Sequence, residues 1–200
     1  MNLEEKFEYM ATGKPYDDLD PRLVRLRARA TTATNKLNDA GTAVKKEVLL
    51  RNLMGSVGKN PTIEPNFRCE FGRNIVIGDN FYANYDCVML DGAPIKIGNN
   101  VLLGPKVGLY TSNHLFDSIE RRMGGCIAKP IHIEDDVWIA ANVTILPGVR
   151  IGKGSIVGGG SVVTRDIPSC VIAAGNPCRV IRKITSEDKT KFNGNDFTDR

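Results

Sequence analysis

The chain has 200 residues, enough for one domain, and its composition of 42% hydrophobic and 25% charged residues is that of a folded globular protein. The formal net charge of +4 is too small to predict nucleic acid as a partner. No run approaches the roughly 18 consecutive apolar residues that a membrane helix needs, and the polar N-terminus, MNLEEKFEYM, lacks the apolar core of a signal peptide. We therefore expect a cytoplasmic protein that binds neither nucleic acid nor membrane.

The first 60 residues are predicted to be a helical segment. Asp20 is a suitable N-cap, Pro21 suits the first helical position, and apolar residues follow at helical spacing. A second helix is predicted from about Thr42 to Met54, after which Gly55 breaks the pattern.

From Ile75 onward, aliphatic residues recur at every sixth position. The inward-facing members of this repeat are predicted to be Ile77, Ala83, Met89, Ile97, Leu103, Leu109, Ile133, Ile139, Ile145, Ile151, Val157 and Val163. A period of six fits neither a helix nor simple strand alternation. It fits a coil of triangular cross-section, in which each hexapeptide forms one side and one corner. Stacked coils would pair as parallel strands about 4.8 Å apart.

Residues 110–130, YTSNHLFDSIERRMGGCIAKP, interrupt this repeat. Leu109 and Ile133 are 24 positions apart, which the register would allow as four hexapeptides, but the residues between them lack the alternation. We predict a loop that leaves the coil and returns to it, and long loops in compact domains usually carry function. A C-terminal cap is predicted after Val163, followed by a polar tail over residues 185–200.

Two histidines are present, His114 in the loop and His132 in the repeat. A lone histidine is more often structural than catalytic, but the long polar loop favours His114 as a general base, since its reference pKa of about 6.5 suits proton transfer. His132 is expected on the outer surface. Two histidines cannot supply the three ligands of a zinc carbonic anhydrase site, and the five cysteines include no CxxC pair, so no catalytic metal is predicted.

Other polar residues have two open interpretations. Asn84 follows the core residue Ala83 and either forms a corner or faces a cleft, where Tyr82 and Asp91 could add hydrogen bonds to a hydroxyl-rich ligand. Basic residues near the C-terminal end form either a solvated surface or a phosphate site; they are Arg165, Arg179, Arg182 and Lys183. Val180 and Ile181 are expected to pack against the last coil.

Five stretches carry a resemblance to a known family. They are GKPYDD, NFYANYDCVMLDGAPIKIG, the TSNH of the loop, PIHIEDDVWIAANVTILPGVRIGKGSIVGGGSVVTRDIP, and AAGNPCRVIRKI. With these stretches the chain resembles the maltose/galactoside O-acetyltransferases over nearly its full length. The resemblance implies a mainly β fold: a left-handed parallel β-helix over residues 61–184, with a helical segment over 1–60 that covers the acceptor site. It also implies acetyl-CoA as the acetyl donor, a small sugar as the acceptor, and a homotrimer with active sites between subunits.

The resemblance also implies roles for single residues. His114 matches the catalytic histidine, and Asn84 matches an asparagine that helps hold the acceptor and the transition state. The positions matched to the coenzyme site are Trp138, Ala141, Gly159, Thr164, Arg165, Arg179 and Arg182. The positions assigned to the acceptor site are Asp18, Arg27, Tyr82, Asn84, Asp91 and Cys126.

Two departures from the family pattern concern the acceptor. The galactoside enzymes carry a second acidic residue where this chain has Gly92, and a methionine where it has Cys126. These departures leave open a hexapeptide acetyltransferase with another acceptor, such as serine, an antibiotic or an amino sugar. A non-catalytic repeat scaffold is a further alternative, against which the intact His114 and Asn84 argue.

Overall fold

The computed structural model describes residues 1–190 and 192, and most of these form a parallel β-helix of about six turns. Three helices precede it, numbered in chain order: α1 (Leu3–Met10), α2 (Pro21–Asn38) and α3 (Ala43–Leu53). A short strand, β1 (Tyr16–Asp17), lies between α1 and α2. As predicted, Asp20 caps α2 and Pro21 begins it, with the Arg22 N–H donating to Asp20 Oδ1 at 2.8 Å.

Three parallel sheets form the sides of the β-helix, and the chain visits them in turn. Sheet 1 contains β2 (Ser56–Val57), β5 (Ile75–Ile77), β8 (Ile95–Ile97), β13 (Ile131–Ile133) and β16 (Arg150–Ile151). Sheet 2 contains β3 (Thr62–Ile63), β6 (Tyr82–Ala83), β9 (Leu102–Leu103), β14 (Trp138–Ile139), β17 (Ile156–Val157) and β19 (Val171–Gly175), with β20 (Cys178–Lys183) antiparallel at its end. Sheet 3 contains β4 (Arg68–Cys69), β7 (Val88–Leu90), β10 (Gly108–Tyr110), β15 (Thr144–Ile145) and β18 (Val162–Val163).

The twelve predicted inward positions of the repeat are confirmed, because each is at most 3% exposed. Successive coils stack in register, so that Ile97 pairs with Ile77 on one side and with Ile133 on the other. Each buried aliphatic side chain stabilises the coil by about 1.5–3 kcal/mol relative to an exposed one. Asn and Asp residues at the corners adopt positive φ, as at Asn80, Asn100 and Asp136. Their side chains form a column of hydrogen bonds, in which Asn80 donates to Asn100 Oδ1 and Asn100 donates to Asp136 Oδ1.

The outer faces of the sheets differ in polarity. On sheet 1 the outward residues of neighbouring strands are Lys96, His132 and Arg150, so His132 lies on the outer face as predicted. On sheet 2 the equivalent column contains Tyr82, Leu102, Trp138, Ile156 and Ile172. Leu102 and Trp138 are each 47% exposed in the single chain. Sheet 2 therefore presents a continuous apolar column, whereas sheet 1 presents a basic one.

Two edges of the β-helix carry the candidate site residues. The 2–3 edge consists of the turns from sheet 2 into sheet 3, at residues 84–87, 104–107, 140–143 and 158–161. The 3–1 edge consists of the turns from sheet 3 into sheet 1. The predicted loop leaves the coil at the 3–1 edge and forms β11 (Ser112–His114), α4 (Ser118–Arg122) and β12 (Gly125–Ala128). Its two strands form an antiparallel hairpin, and β1 pairs with β12 to complete a three-stranded sheet.

The C-terminal end departs from one expectation. Val180 and Ile181 are 46% and 64% exposed, so the prediction that they pack against the last coil is wrong. They lie in β20, the outermost strand of sheet 2, and no further coil among the described residues covers them. Of the predicted polar tail, residues 186–188 form a single 3-10 turn, and residues 191 and 193–200 lie outside the described residues. No helix in the described part of the chain is long and apolar enough to cross a membrane.

Asp20 links the helices that flank the loop. Its carboxylate caps α2 and also accepts from Lys6 Nζ of α1 at 2.9 Å, and both side chains are nearly buried. The hydrogen bonds from Arg22 and Lys6 hold the pKa of Asp20 well below its usual range.

We expect Asp20→Ala to lower the free energy of unfolding by about 1–2 kcal/mol, the usual effect of losing an N-cap. Asp20→Asn keeps the capping oxygen and loses only the charge. Because the folded protein depresses the pKa, the stabilisation from the charge is present above about pH 4 and is lost as the pH falls further. Chemical denaturation at pH 7 and pH 3 checks this, and an equal gap between wild type and Asp20→Asn at both pH values would contradict it.

Candidate active site

A cavity of about 350 Å³, to which mostly polar and charged residues contribute, lies between the loop hairpin, helix α2 and sheet 3. It is lined by Asp18, Arg27, Glu70, Leu90, Ser112, Asn113, His114 and Cys126. Four residues assigned from the sequence therefore meet there, since Asp18, Arg27, His114 and Cys126 come from the β1–α2 connection, α2, β11 and β12.

His114 is held by the opposite strand of the hairpin. It pairs with Cys126, whose Sγ lies 3.1 Å from His114 Nδ1, while the imidazole itself is exposed. Burial raises the pKa of the Cys126 thiol to about 11, so the sulfur stays neutral near pH 7. With Nδ1 engaged by the sulfur, Nε2 is the nitrogen available for proton transfer. A base at Nε2 requires the tautomer in which Nδ1–H donates to the sulfur.

Arg27 connects two acidic residues across the cavity. Its Nε donates to Glu70 Oε1 at 2.9 Å, its Nη1 donates to the Asp18 carbonyl oxygen at 3.0 Å, and its Nη2 contacts Asp18 Oδ1. All three side chains are at most 26% exposed. The guanidinium is therefore fixed by its fork of donors, and it fixes the two carboxylates in turn.

Glu70 was not among the residues predicted from the sequence. It follows β4, and burial raises its pKa to about 7 despite the nearby guanidinium of Arg27. Its second oxygen, Oε2, is buried and has no hydrogen-bond partner within the described structure. A single glutamate near a coil corner is the ordinary pattern of a surface residue, so the sequence offered no signal for it.

Asp91, which was assigned to the acceptor site, lies behind the cavity. It is 0% exposed, and its carboxylate accepts from the backbone N–H groups of Glu70, Phe71 and Asn74 at 3.1, 2.8 and 3.2 Å. Burial raises its pKa, although these backbone hydrogen bonds oppose the shift. In the single chain Asp91 therefore positions the backbone that carries Glu70 and does not line the cavity.

The 2–3 edge brings together a second group of assigned residues. Ala141 and Gly159 are neighbours in adjacent coils, since the Gly160 N–H donates to the Ala141 carbonyl oxygen at 2.9 Å. The Ala141 N–H makes no hydrogen bond to the described residues. Asn84 occupies the same edge, and its Oδ1 accepts from the Tyr85 N–H at 2.8 Å, which leaves its NH2 group as a donor. Tyr82 and Trp138 lie on the outer face of sheet 2 beside this edge.

The basic residues are distributed over both edges. Thr164 and Arg165 are exposed at the 3–1 edge, after β18. Arg179 lies near the end of β19 at the 2–3 edge, with its Nη1 donating to the Cys178 carbonyl oxygen at 2.8 Å. Arg182 pairs with Ile172, nearer the start of β19, and its guanidinium donates twice to the Asp188 carboxylate, at 2.8 and 2.7 Å.

The assigned residues thus form two groups that a single chain does not unite. His114 and its cavity lie at the 3–1 edge, whereas Asn84, Ala141 and Gly159 lie at the 2–3 edge, and the strands of sheet 3 separate them. Among the described side chains, no group of three or more His, Cys, Asp or Glu is arranged to hold a metal ion.

Comparisons with known proteins give a consistent result. Residues 9–58 match the maltose acetyltransferase hexapeptide capping motif, and residues 130–165 match the bacterial transferase hexapeptide repeats. A Saccharomyces cerevisiae protein, named as an acetyltransferase with no acceptor specified, is 49% identical over 190 residues, which cover 93% of this chain and 96% of its own.

Two solved structures extend this likeness to the whole fold. A maltose O-acetyltransferase from Clostridium difficile is 46% identical, with a TM-score of 0.87 over 90% of this chain and 97% of its own. A galactoside acetyltransferase in complex with coenzyme A is 38% identical, with a TM-score of 0.88 over 97% of each chain. The fold, the capping segment and the repeats agree with these relatives, so the chain belongs to the maltose/galactoside O-acetyltransferase family of hexapeptide-repeat enzymes and is an acetyltransferase.

Proposed function

We propose that the protein transfers an acetyl group from acetyl-CoA to a hydroxyl of a small sugar, with His114 as the general base. The observation that carries the proposal is the position of His114 at a cavity whose other polar walls are Asp18, Arg27, Glu70 and Ser112. A sugar needs many hydrogen-bond donors and acceptors around one reactive hydroxyl, and this cavity offers both. Residues 1–60 supply two of these walls and so cover the acceptor.

The reaction needs few protein groups because the thioester is already activated. His114 Nε2 takes the proton of the acceptor hydroxyl as the oxygen attacks the thioester carbonyl. A new C–O bond forms, the tetrahedral intermediate collapses, and the C–S bond breaks. The proton held by His114 then passes to the leaving thiolate, so no covalent intermediate on the enzyme is required.

The 2–3 edge is suited to the extended arm of coenzyme A. The free Ala141 N–H can donate to the thioester oxygen, where negative charge develops in the transition state. The absence of a side chain at Gly159 keeps the edge open, since a Cβ there would lie 3.2 Å from the Ala141 carbonyl oxygen. The Asn84 NH2 group supplies a further donor on the same edge. Arg179 at the end of this edge would meet the coenzyme phosphates.

A homotrimer would complete the site. The base and the coenzyme edge lie on opposite sides of sheet 3, so a neighbouring subunit must bring its 2–3 edge to the cavity of the first. The apolar column of sheet 2, with Leu102 and Trp138 half exposed, is the face that association would bury. The basic outer face of sheet 1 would stay in solvent. Thr164 and Arg165 lie at the 3–1 edge, so they would reach the coenzyme from the subunit that supplies the His114 cavity.

We expect His114→Ala to lower the rate constant for acetyl transfer by about 10²–10⁴-fold, the usual contribution of a general base. Affinity for acetyl-CoA should stay the same, because the imidazole does not lie on the coenzyme edge. Release of free thiol with a panel of sugars, serine, amino sugars and antibiotics measures the rate and identifies the acceptor class. His132→Ala is the matched control and should keep full activity. Turnover of His114→Ala within threefold of the wild type would contradict the role of His114.

Mixed trimers test whether the site is shared between subunits. We expect His114→Ala and Asn84→Ala to be inactive alone and to recover about one quarter of the wild-type activity when co-expressed, since one site in four would pair two intact residues. Co-expression of His114→Ala with the double variant Asn84→Ala/His114→Ala should recover none. Light scattering reports the mass, and a monomer at micromolar concentration would contradict both the trimer and the shared site.

The assignment of Arg182 to the coenzyme phosphates can be separated from its ion pair with Asp188. We expect Arg182→Ala to weaken acetyl-CoA binding by roughly 10–100-fold and to leave the affinity for a pantetheine-only analogue unchanged. Asp188→Asn frees the guanidinium and should tighten acetyl-CoA binding by up to about fivefold. Calorimetry with both ligands distinguishes the outcomes. Equal losses of affinity for acetyl-CoA and for the pantetheine-only analogue would mean that the arginine acts by stabilising the C-terminal cap and does not contact the phosphates.

A further inference from the structure

The buried oxygen Glu70 Oε2 calls for a partner that the described chain does not provide. Glu70 Oε1 is satisfied by Arg27 at 2.9 Å, whereas Oε2 accepts no hydrogen bond. A buried polar atom without a partner costs about 1–3 kcal/mol, and such atoms are rare in folded proteins. The side chain is only 11% exposed and lines the same cavity as His114.

The structure holds Glu70 in this position from several sides. Its N–H donates to Asp91 Oδ1 at 3.1 Å, and the same oxygen accepts from the Phe71 N–H at 2.8 Å. The guanidinium of Arg27 fixes the other carboxylate oxygen, and the ring of Phe71 lies 5.4 Å below that guanidinium. The free oxygen is therefore preorganised. A ligand that binds it does not have to order the side chain first, which would weaken its affinity.

Three polar groups converge above Gly92. A Cβ atom at this position would lie 2.2 Å from Ser112 Oγ, 3.3 Å from the Tyr16 hydroxyl and 3.6 Å from Glu70 Oε2. The glycine thus makes room for the Ser112 hydroxyl, which lies where a side chain at position 92 would begin, close to a second hydroxyl and a carboxylate oxygen. The Tyr16 hydroxyl lies 3.5 Å from Ser112 Oγ. Any side chain at position 92 would collide with Ser112 Oγ, so Glu70 supplies the acidic group at this wall of the cavity.

This cluster of polar groups lines the same cavity as the candidate base. Ser112 and His114 are two positions apart on β11, so their side chains point to the same side of the strand, about 6.6–6.8 Å apart along it. Two side chains at this spacing can each form a hydrogen bond to a different hydroxyl group of one sugar ring. A hydroxyl both donates and accepts, so it can donate to Glu70 Oε2 while it accepts from Ser112 or Tyr16.

We propose that Glu70 is a specificity-determining residue whose free oxygen accepts a hydrogen bond from a second hydroxyl of the acceptor ring, near the hydroxyl that His114 deprotonates. This proposal rests on the sugar acetyltransferase function proposed above. An acceptor that lacks the second hydroxyl leaves Glu70 Oε2 buried and unpaired, so the enzyme discriminates against it. Because burial raises the pKa of Glu70 to about 7, the carboxylate becomes fully available as an acceptor only above neutral pH.

The test uses the best sugar acceptor and its set of monodeoxy analogues. For the wild type, we expect one analogue besides the one lacking the reactive hydroxyl to lose about 10–100-fold in kcat/KM, the range for a hydrogen bond to a charged group. Glu70→Ala should lower kcat/KM for the full sugar by a similar factor relative to wild type. With that analogue, its kcat/KM should be almost the same as that of the wild type. Glu70→Gln keeps the shape of the side chain and should show a smaller loss at the same ring position. The KM for acetyl-CoA should change by less than twofold in both variants.

Two kinds of control are needed. One shows that a Glu70 variant loses a contact with the acceptor and not its fold, and the other separates the role of Glu70 from the proposed sugar acetyltransferase function. Glu8→Gln, in the exposed part of α1, should behave as wild type. A Glu70 variant that weakens all the analogues equally, or not at all, overturns the role of Glu70 while the acetyl transfer of the wild type stands. A wild type that acetylates no sugar overturns the proposed function itself. A further analogue carries an amine in place of the hydroxyl at the same ring position. If the wild type acetylates it with a higher kcat/KM than the sugar, and Glu70→Gln abolishes that advantage, Glu70 binds an ammonium group and the proposed hydroxyl contact is wrong.

Discussion

The close packing of aliphatic side chains inside the β-helix fixes the positions of the candidate residues on its sheets and on the 2–3 edge. Ile97, Ile133 and Ile151 stack in register on sheet 1, each at most 3% exposed. A shift of one residue would turn an aliphatic side chain outward, so the inner column also determines which residues face out and which lie at a corner. Ala141 and Gly159 are neighbours at the 2–3 edge because they stand 18 positions apart in the sequence, the length of one coil.

The loop hairpin departs from the core without disturbing it. Ile97 and Ile133 are register partners 36 positions apart, whereas Ile133 and Ile151 are 18 apart, so the excursion inserts the length of one coil and the register resumes. Backbone pairing with β1 and between its own strands holds the hairpin, and Cys126 and Ala128 of β12 pack in a second hydrophobic cluster separate from the β-helix core. The candidate base thus stands on an element outside the stacked coils, where the contact with Cys126 Sγ orients its imidazole.

The parts of the structure that depend on local pattern could be predicted from the sequence, and the parts that depend on distant contacts could not. The six-residue repeat and the Asp20 cap are encoded within a few residues of each other, so the buried positions and the start of α2 were predicted correctly. Glu70 gains its role from Arg27, 43 positions earlier, and Asp91, 21 positions later. The exposure of Ile181 could not be predicted because its pairing depends on where the stack of coils ends.

The two groups of candidate residues obey different constraints. The 2–3 edge is made from the repeat itself, where each residue is tied to the coils above and below, so a change there disturbs the stack. The His114 cavity is made from a helix, a hairpin and one coil corner, which meet through side chains such as Arg27 and Glu70. Substitutions in these elements alter the hydrogen bonds offered to a ligand and leave the packed columns intact. Gly92 and Glu70 therefore act together on the shape and charge of the His114 cavity, because the glycine admits the Ser112 hydroxyl beside the Glu70 carboxylate.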